Sequence, residues 1–428
     1  MSLRATTIAP AAALALSWAL ATTVGPFADT TVNDLFVYRT YADLLAGGRL
    51  PYRDFGFEYP PLAAIPIWLA GLPGRDEGAY AVSFAVLMAG CALAGQWLAA
   101  RLADCAAAAG TVRADAGRAG GTVAWLIALT PIVIGASLRT HFDALPVALA
   151  LAGLLAFARE RPQLGFVALA VGTMTKLFPA LLAAAAVVWL LARGERRAAL
   201  RGAAIFGAVV VAVSLPLSGA GYVDSFAFHL DRPVQIESTP ASILFALGGS
   251  DVTGTNLRPD RFKSNGLDGG HAVLVERLSA VALALALAAI LALAARRPDA
   301  RHLVLCGFAA LLAFVTLGKV FSPQYVIWLA PFAALAWVWR QRAVALLTLA
   351  ALVLTQVEFP SRYFDLINQQ GDVIRIVAAR NALLLAALMA LAASLARSSR
   401  PSSAPSSARA RPSAMGPRRR SRSARTCA

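Results

Sequence analysis

Residues 78–100 read GAYAVSFAVLMAGCALAGQWLAA, a run with no charged side chain. A helix needs roughly 20 apolar residues to cross a hydrocarbon core of about 30 Å. Inside that core no water serves the backbone N–H and C=O groups, so the helix, which satisfies them internally, is the natural spanning form. Similar charge-free runs occupy Ala5–Ala28, Gly202–Val223 and Val320–Trp339. The 428-residue chain is 58% hydrophobic and only 14% charged, with a mean hydropathy of +0.65. A soluble domain carries roughly a quarter of its residues charged. The pattern predicts an all-α, polytopic transmembrane protein.

Working outward from that run, twelve spans are predicted, near 8–27, 80–103, 121–138, 143–158, 162–178, 179–193, 202–218, 272–295, 302–318, 321–339, 343–357 and 373–396. Pro60–Leu72 is apolar but short, and Pro60-Pro61 opens it, so it reads as an interfacial or re-entrant helix. Charge bias sets the orientation, because cytoplasmic segments accumulate Lys and Arg. With the N-terminus inside, the cytoplasmic segments hold 24 basic and 5 acidic residues, and the remainder holds 15 basic and 18 acidic ones. Both termini are therefore expected in the cytoplasm of a multi-pass cell-membrane protein. Two long loops are expected outside, 29–79 and 219–270, with a shorter one over Glu358–Asp372. Met1–Ala28 is expected to be an uncleaved first span, since Gly25-Pro26-Phe27-Ala28 makes a poor cleavage site.

The net charge of +16 does not make this a nucleic-acid binder. Nine arginines crowd into 397–428, a Ser/Pro/Arg/Ala-rich stretch with too few large apolar groups to build a core. That stretch is expected to be a disordered cytoplasmic tail near anionic lipid. The four cysteines indicate no disulfide framework.

The candidate chemistry lies in the outer loops. Asp34 follows the first span, and Glu58 opens the Pro-Pro segment beside Tyr59. A carboxylate at a membrane interface is a candidate general base for an acceptor hydroxyl. Taken alone, either acid reads more readily as a solvated loop residue, or in the case of Asp34 as a helix N-cap. Arg139, His141 and Asp143 cluster between predicted spans, and the second loop offers His229, Asp231, Arg232 and Glu237. Lys176 lies in Thr175-Lys176-Leu177-Phe178-Pro179, and Lys319 precedes Phe321-Ser322-Pro323-Gln324-Tyr325. Lys176, Lys263 and Lys319 are the only lysines in the chain, and the layout puts Lys176 and Lys319 on the lysine-poor side. Cations there suit a phosphate held by charge-assisted hydrogen bonds, or else they snorkel from helix ends. No phosphate-binding G-x-x-x-x-G-K-[ST] loop, H-E-x-x-H helix or Cys/His ligand spacing is present. No cofactor is indicated, and a divalent metal is left open.

Three blocks carry a family resemblance. Asp34 with the Gly48-Arg49-Leu50-Pro51-Tyr52-Arg53-Asp54 run and Glu58-Tyr59-Pro60-Pro61-Leu62, then Thr175–Pro179, then Ser322–Tyr325, resemble glycosyltransferase family 87 in the same order. That family is of the GT-C type and includes polyprenyl-phosphate-mannose-dependent mannosyltransferases. The resemblance implies a GT-C-like domain over 1–396, with 397–428 outside it. It implies transfer of a sugar, mannose foremost, from a polyprenyl-phosphate donor to a glycolipid or glycan acceptor on the outer face, with inversion. By matching position Asp34 would be the base and Glu58 a second acid. Lys176, Lys319 and Arg232 are proposed for the donor phosphate. Tyr59, Arg139, His141, Asp143, Glu237, Gln324 and Tyr325 would line the substrate site. The alternatives are an arabinofuranosyltransferase of the same type and a lipid-linked-sugar flippase that forms no bond.

Overall fold

The computed structural model describes residues 3–108, 116–248, 251–254, 265–269 and 271–398. The expected basic tail lies outside the described residues beyond Ser398. The architecture is helical, in the order α1 (Leu3–Thr23), α2 (Leu35–Ala46), α3 (Ala64–Ala70), α4 (Glu77–Ala108), α5 (Ala116–Ala128), α6 (Thr130–Ile134), α7 (Ser137–Thr140), α8 (Ala144–Ala158), α9 (Pro162–Thr173), α10 (Pro179–Ala192), α11 (Arg196–Ser214), α12 (Ala220–Asp231), α13 (Thr239–Ala246), α14 (Ala272–Ala294), α15 (Ala300–Leu317), α16 (Val326–Val338), α17 (Arg342–Glu358), α18 (Tyr363–Ile367) and α19 (Gly371–Ser398). Among the described residues five segments are long and apolar enough to cross a membrane: Glu77–Ala106, Arg196–Leu217, Ala272–Ala294, Ala300–Leu317 and Gly371–Arg397. The other apolar helices are shorter.

Helices α15 and α16 form the centre. Nearly every side chain of α15 from His302 to Ala313 is buried, and α16 is buried from Val326 to Ala336. Helices α11 and α14 instead expose Leu200, Val211, Leu278, Val281 and Leu285, as helices facing lipid rather than water do.

Two features depart from the expected layout. The predicted span 121–138 is three short helices. Pro131 lacks the amide needed to continue α5, and Gly135 takes φ +62 directly against the Phe27 carbonyl. A Cβ at Gly135 would stand 2.0 Å from that oxygen, so only glycine fits. The Ala136 amide donates to the same carbonyl at 2.8 Å. The break therefore ties the end of α1 to α7.

The second departure is a small sheet within the second long loop: β1 (Val234–Gln235), β2 (Asp251–Gly254) and β3 (Asn265–Asp268). It runs antiparallel in the order β1-β3-β2, with Val234 opposite Leu267. Val234, Ile236, Leu244 and Leu267 pack with Val275 and Val377 into a second, smaller apolar cluster. Strands this short carry too little alternation to be read from sequence.

Candidate active site

The first long loop is held in place by backbone contacts. Pro60 and Pro61 open a short 3-10 turn, and the Leu62 amide donates 2.8 Å to the Met174 carbonyl. That bond sets Glu58-Tyr59 beside the Thr175-Lys176 turn at the end of α9. Helix α12 closes over the other side. Gly221 packs against the Tyr52 carbonyl, Ser225 Oγ donates to the Phe57 carbonyl at 2.9 Å, and His229 Nε2 donates to the Glu58 carbonyl at 2.9 Å.

Asp34 stands at the N-cap of α2, yet its side chain makes no capping bond. Asn33 Oδ1 accepts from the Leu35 amide instead, at 2.8 Å. The Asp34 carboxylate turns inward, where Oδ2 accepts from Tyr38 Oη at 3.1 Å and more weakly from Tyr59 Oη at 3.5 Å. His141 Nε2 lies 3.6 Å from the same oxygen. The imidazole is buried and its orientation is fixed, because Nδ1 lies 3.1 Å from the Ser137 carbonyl, which can only accept. Nδ1 also lies 3.0 Å from Thr140 Oγ1, and Nε2 is the nitrogen that faces Asp34. Asp34 itself keeps 34% of its side-chain surface exposed, so an incoming hydroxyl can reach it.

Asp143 repeats the device at the start of α8. It too caps nothing, and its buried carboxylate goes to Lys176 Nζ at 2.8 Å and to Trp328 Nε1 at 2.5 Å. The ammonium sits among the rings of Phe142 (4.8 Å to the centroid), Trp328 (5.7 Å) and Tyr59 (6.0 Å). Tyr325 stacks on Trp328 with centroids 4.0 Å apart. The Lys176 charge is thus compensated by one carboxylate and three π faces, which is what keeps an ammonium tolerable at 9% exposure.

Glu58 retains some solvent contact but is otherwise surrounded by protein. Burial, with the Asp34 charge adding to it, pushes its carboxyl up to about 7, and Arg232 and Lys176 pull the other way. Burial lowers His229, favouring its neutral form. Among the candidates, Asp34, Glu58, Tyr59, His141, Asp143, Lys176 and Tyr325 thus gather in one region, with Arg232 near enough to act on Glu58.

Other candidates lie elsewhere. Arg139 is turned toward α1, where Nε donates to the Thr22 carbonyl at 2.8 Å. Lys319 Nζ is taken up by Glu276 Oε1 (2.7 Å) and the Leu230 carbonyl (2.5 Å). Gln324 accepts from its neighbour Ser322. Glu237 belongs to a separate buried cluster. Its side chain accepts from Gln235, and its backbone carbonyl accepts from Arg380 and, at 3.2 Å, from Asn381 Nδ2. Arg380 lies 3.8 Å from Glu358 and 3.9 Å above the Phe321 ring. Burial and the Glu358 charge drive Glu237 well above the usual carboxylate range.

Sequence reasoning passed over Tyr38 and Trp328. Tyr38 was within reach of it, four residues after Asp34 and so on the same helical face. Trp328 reaches Asp143 across 185 positions, and nothing local announces that contact.

The model of glycosyltransferase family 87 matches residues 57–323. The chain belongs to glycosyltransferase family 87. The match spans Glu58, Tyr59, Arg139, His141, Asp143, Lys176, Arg232, Glu237 and Lys319, and leaves Asp34, Gln324 and Tyr325 outside it. No curated protein matches the chain. Membership of family 87 and the long apolar helices make this a membrane-embedded glycosyltransferase.

Proposed function

We propose that this glycosyltransferase moves a sugar, mannose foremost, from a polyprenyl-phosphate carrier to a hydroxyl of a glycolipid or glycan on the outer membrane face. About twelve crossings with both termini inside would place the Asp34 region there. The observation that carries the reading is the juxtaposition at Asp34. A partly exposed carboxylate, oriented by Tyr38, Tyr59 and His141, opens beside a compensated cation and a wall of aromatic rings.

In this reading the acceptor hydroxyl attacks the anomeric carbon and its proton passes to Asp34. A new C–O bond forms as the bond to the carrier phosphate breaks, and the phosphate leaves with the electron pair. Direct displacement inverts the anomeric centre. The leaving phosphate needs little protonation but much charge stabilisation. Arg232 supplies that best, joined by the Lys176 N–H groups that Asp143 does not engage. Tyr59 and Tyr325 are partly exposed and offer ring surfaces to the C–H faces of a sugar, with Phe142 and Trp328 buried behind them. Glu58, held near 7, is suited to bind a second hydroxyl in either protonation state.

The test is sugar transfer by the purified protein in detergent, with no second compartment. Radiolabelled polyprenyl-phosphate mannose and a membrane glycolipid extract are expected to give a new labelled glycolipid. Transfer from the arabinose donor alone would move the assignment to an arabinofuranosyltransferase. No transfer from either donor, with labelled donor crossing the bilayer of reconstituted vesicles, would make the protein a flippase.

A further inference from the structure

Back to back with the Asp34 region lies a second cavity, of about 190 Å³. Asn33 and Leu35, the chain neighbours of Asp34, both line it, together with Phe36, Arg39, Glu77 and Arg139. Asp34 turns the other way, toward His141. The two guanidinium groups come from different elements, Arg39 from α2 and Arg139 from α7. Among the described residues neither forms an ion pair, although Arg75 nearby pairs with Asp43. Glu77 is the one carboxylate in the lining, so the cavity keeps a net positive charge.

Two arginines against one carboxylate leave a positive charge in this small cavity that a bound anion would offset. Guanidinium groups also present N–H pairs matched to phosphate oxygens. The surroundings add an apolar requirement. Phe36 lines the cavity and is 71% exposed, and Val82, next in the chain to the lining residue Ala81, is also largely exposed. Leu20 and Val24 are exposed on either side of Thr22, whose carbonyl holds Arg139. Large apolar side chains exposed together around a cationic cavity match a ligand with a charged head and a hydrocarbon tail.

We propose that this cavity binds the phosphate headgroup of a membrane lipid, with Arg39 and Arg139 on the phosphate and Phe36 against the first part of the chain. The inference does not depend on the role of Asp34. Two lipids supply this chemistry, an anionic phospholipid of the bilayer and the polyprenyl phosphate of a sugar carrier.

Native mass spectrometry of the full-length protein in detergent separates them. The probes are phosphatidylglycerol, polyprenyl monophosphate, phosphate-free diacylglycerol and inorganic phosphate. The variants are Arg39→Gln, whose side chain makes no hydrogen bond among the described residues, and Arg139→Gln. At least one phosphate lipid is expected to bind the wild type, with about ten-fold weaker binding in each variant, as loss of a charge-assisted hydrogen bond implies. Preference for phosphatidylglycerol would assign a bilayer lipid, and preference for polyprenyl monophosphate a carrier. Binding equal in wild type and both variants would overturn the proposal. So would diacylglycerol bound as tightly as phosphatidylglycerol, or inorganic phosphate bound as tightly as either lipid.

Discussion

The region around Asp34 and the cluster around Arg380 both place carboxylates beside cations within a mostly apolar protein, and they treat those charges differently. Around Asp34 the acid keeps a third of its surface open, and its partners are neutral hydroxyls and an imidazole. Around Arg380 two carboxyl groups and one guanidinium are fully buried, with Glu237, Arg380 and Asn381 pinning the second long loop to α19. The acid of the proposed reaction site stays accessible and is oriented from behind. Groups that hold a loop are sealed and joined to backbone. A buried ionisable group is therefore not by itself a sign of chemistry in this chain. What sets the proposed reaction site apart is an accessible acid whose capping role has been passed to a neighbour, as Asp34 passes it to Asn33.

The contrast can be broken most forcefully at Arg380. Arg380→Met would leave Glu358 and the Glu237 carbonyl without their partner, at a cost of about 3–5 kcal/mol. Thermal unfolding in detergent should show a large loss. Adding Glu358→Gln should recover most of it, since the stray charge goes too. A variant as stable as wild type would remove the latch role. Next in size, Lys176→Gln combined with Asp143→Asn deletes the other buried pair without stranding a charge. Donor kcat/KM should fall about 10- to 100-fold, or ~1.4–2.8 kcal/mol at 1.4 kcal/mol per factor of ten, with the fold retained. An unchanged donor dependence would make the pair structural, like the one at Arg380.

A third effect depends on pH. The Glu58 carboxyl is raised from its ordinary 4.5 to about 7 in the folded protein. The native state thus favours its protonated form, which supports stability at low pH, and that support is lost as pH rises from about 4.5 to about 7. Glu58→Gln should flatten the stability curve across this window and remove an inflexion near 7 from the rate profile. Curves that superimpose on wild type would place Glu58 at an ordinary carboxylate value. The smallest effect is expected at Lys319. Its partly exposed pair with Glu276 is worth about 1 kcal/mol or less. Lys319→Met should shift the melting temperature slightly and leave donor KM unchanged, and a large rise in KM would restore Lys319 to the phosphate site.

Much of this was legible in the sequence for physical reasons. Charge-free runs report helices in lipid because the bilayer penalises charge wherever it falls. Pro60-Pro61 announces its turn because proline restricts the backbone locally. The break in 121–138 was also written locally, in Pro131 and Gly135, although the apolar composition there reads as one span. The pairings His141 with Asp34, Trp328 with Asp143 and Arg380 with Glu237 were not legible. Each joins residues more than a hundred positions apart, and no local pattern encodes such contacts. For the same reason Arg139, His141 and Asp143 read as one cluster in sequence, while Arg139 on α7 turns to the Thr22 carbonyl and His141, just past that helix, turns to Asp34.

The most direct measurement compares the two acids side by side. Single-turnover sugar transfer is followed for wild type, Asp34→Asn and Glu237→Gln, each at the same folded fraction. The account predicts a fall of about 10²–10⁴ for Asp34→Asn, the usual worth of general-base catalysis, and a rate within a few-fold of wild type for Glu237→Gln. A full rate in Asp34→Asn, or a collapse confined to Glu237→Gln, would contradict it.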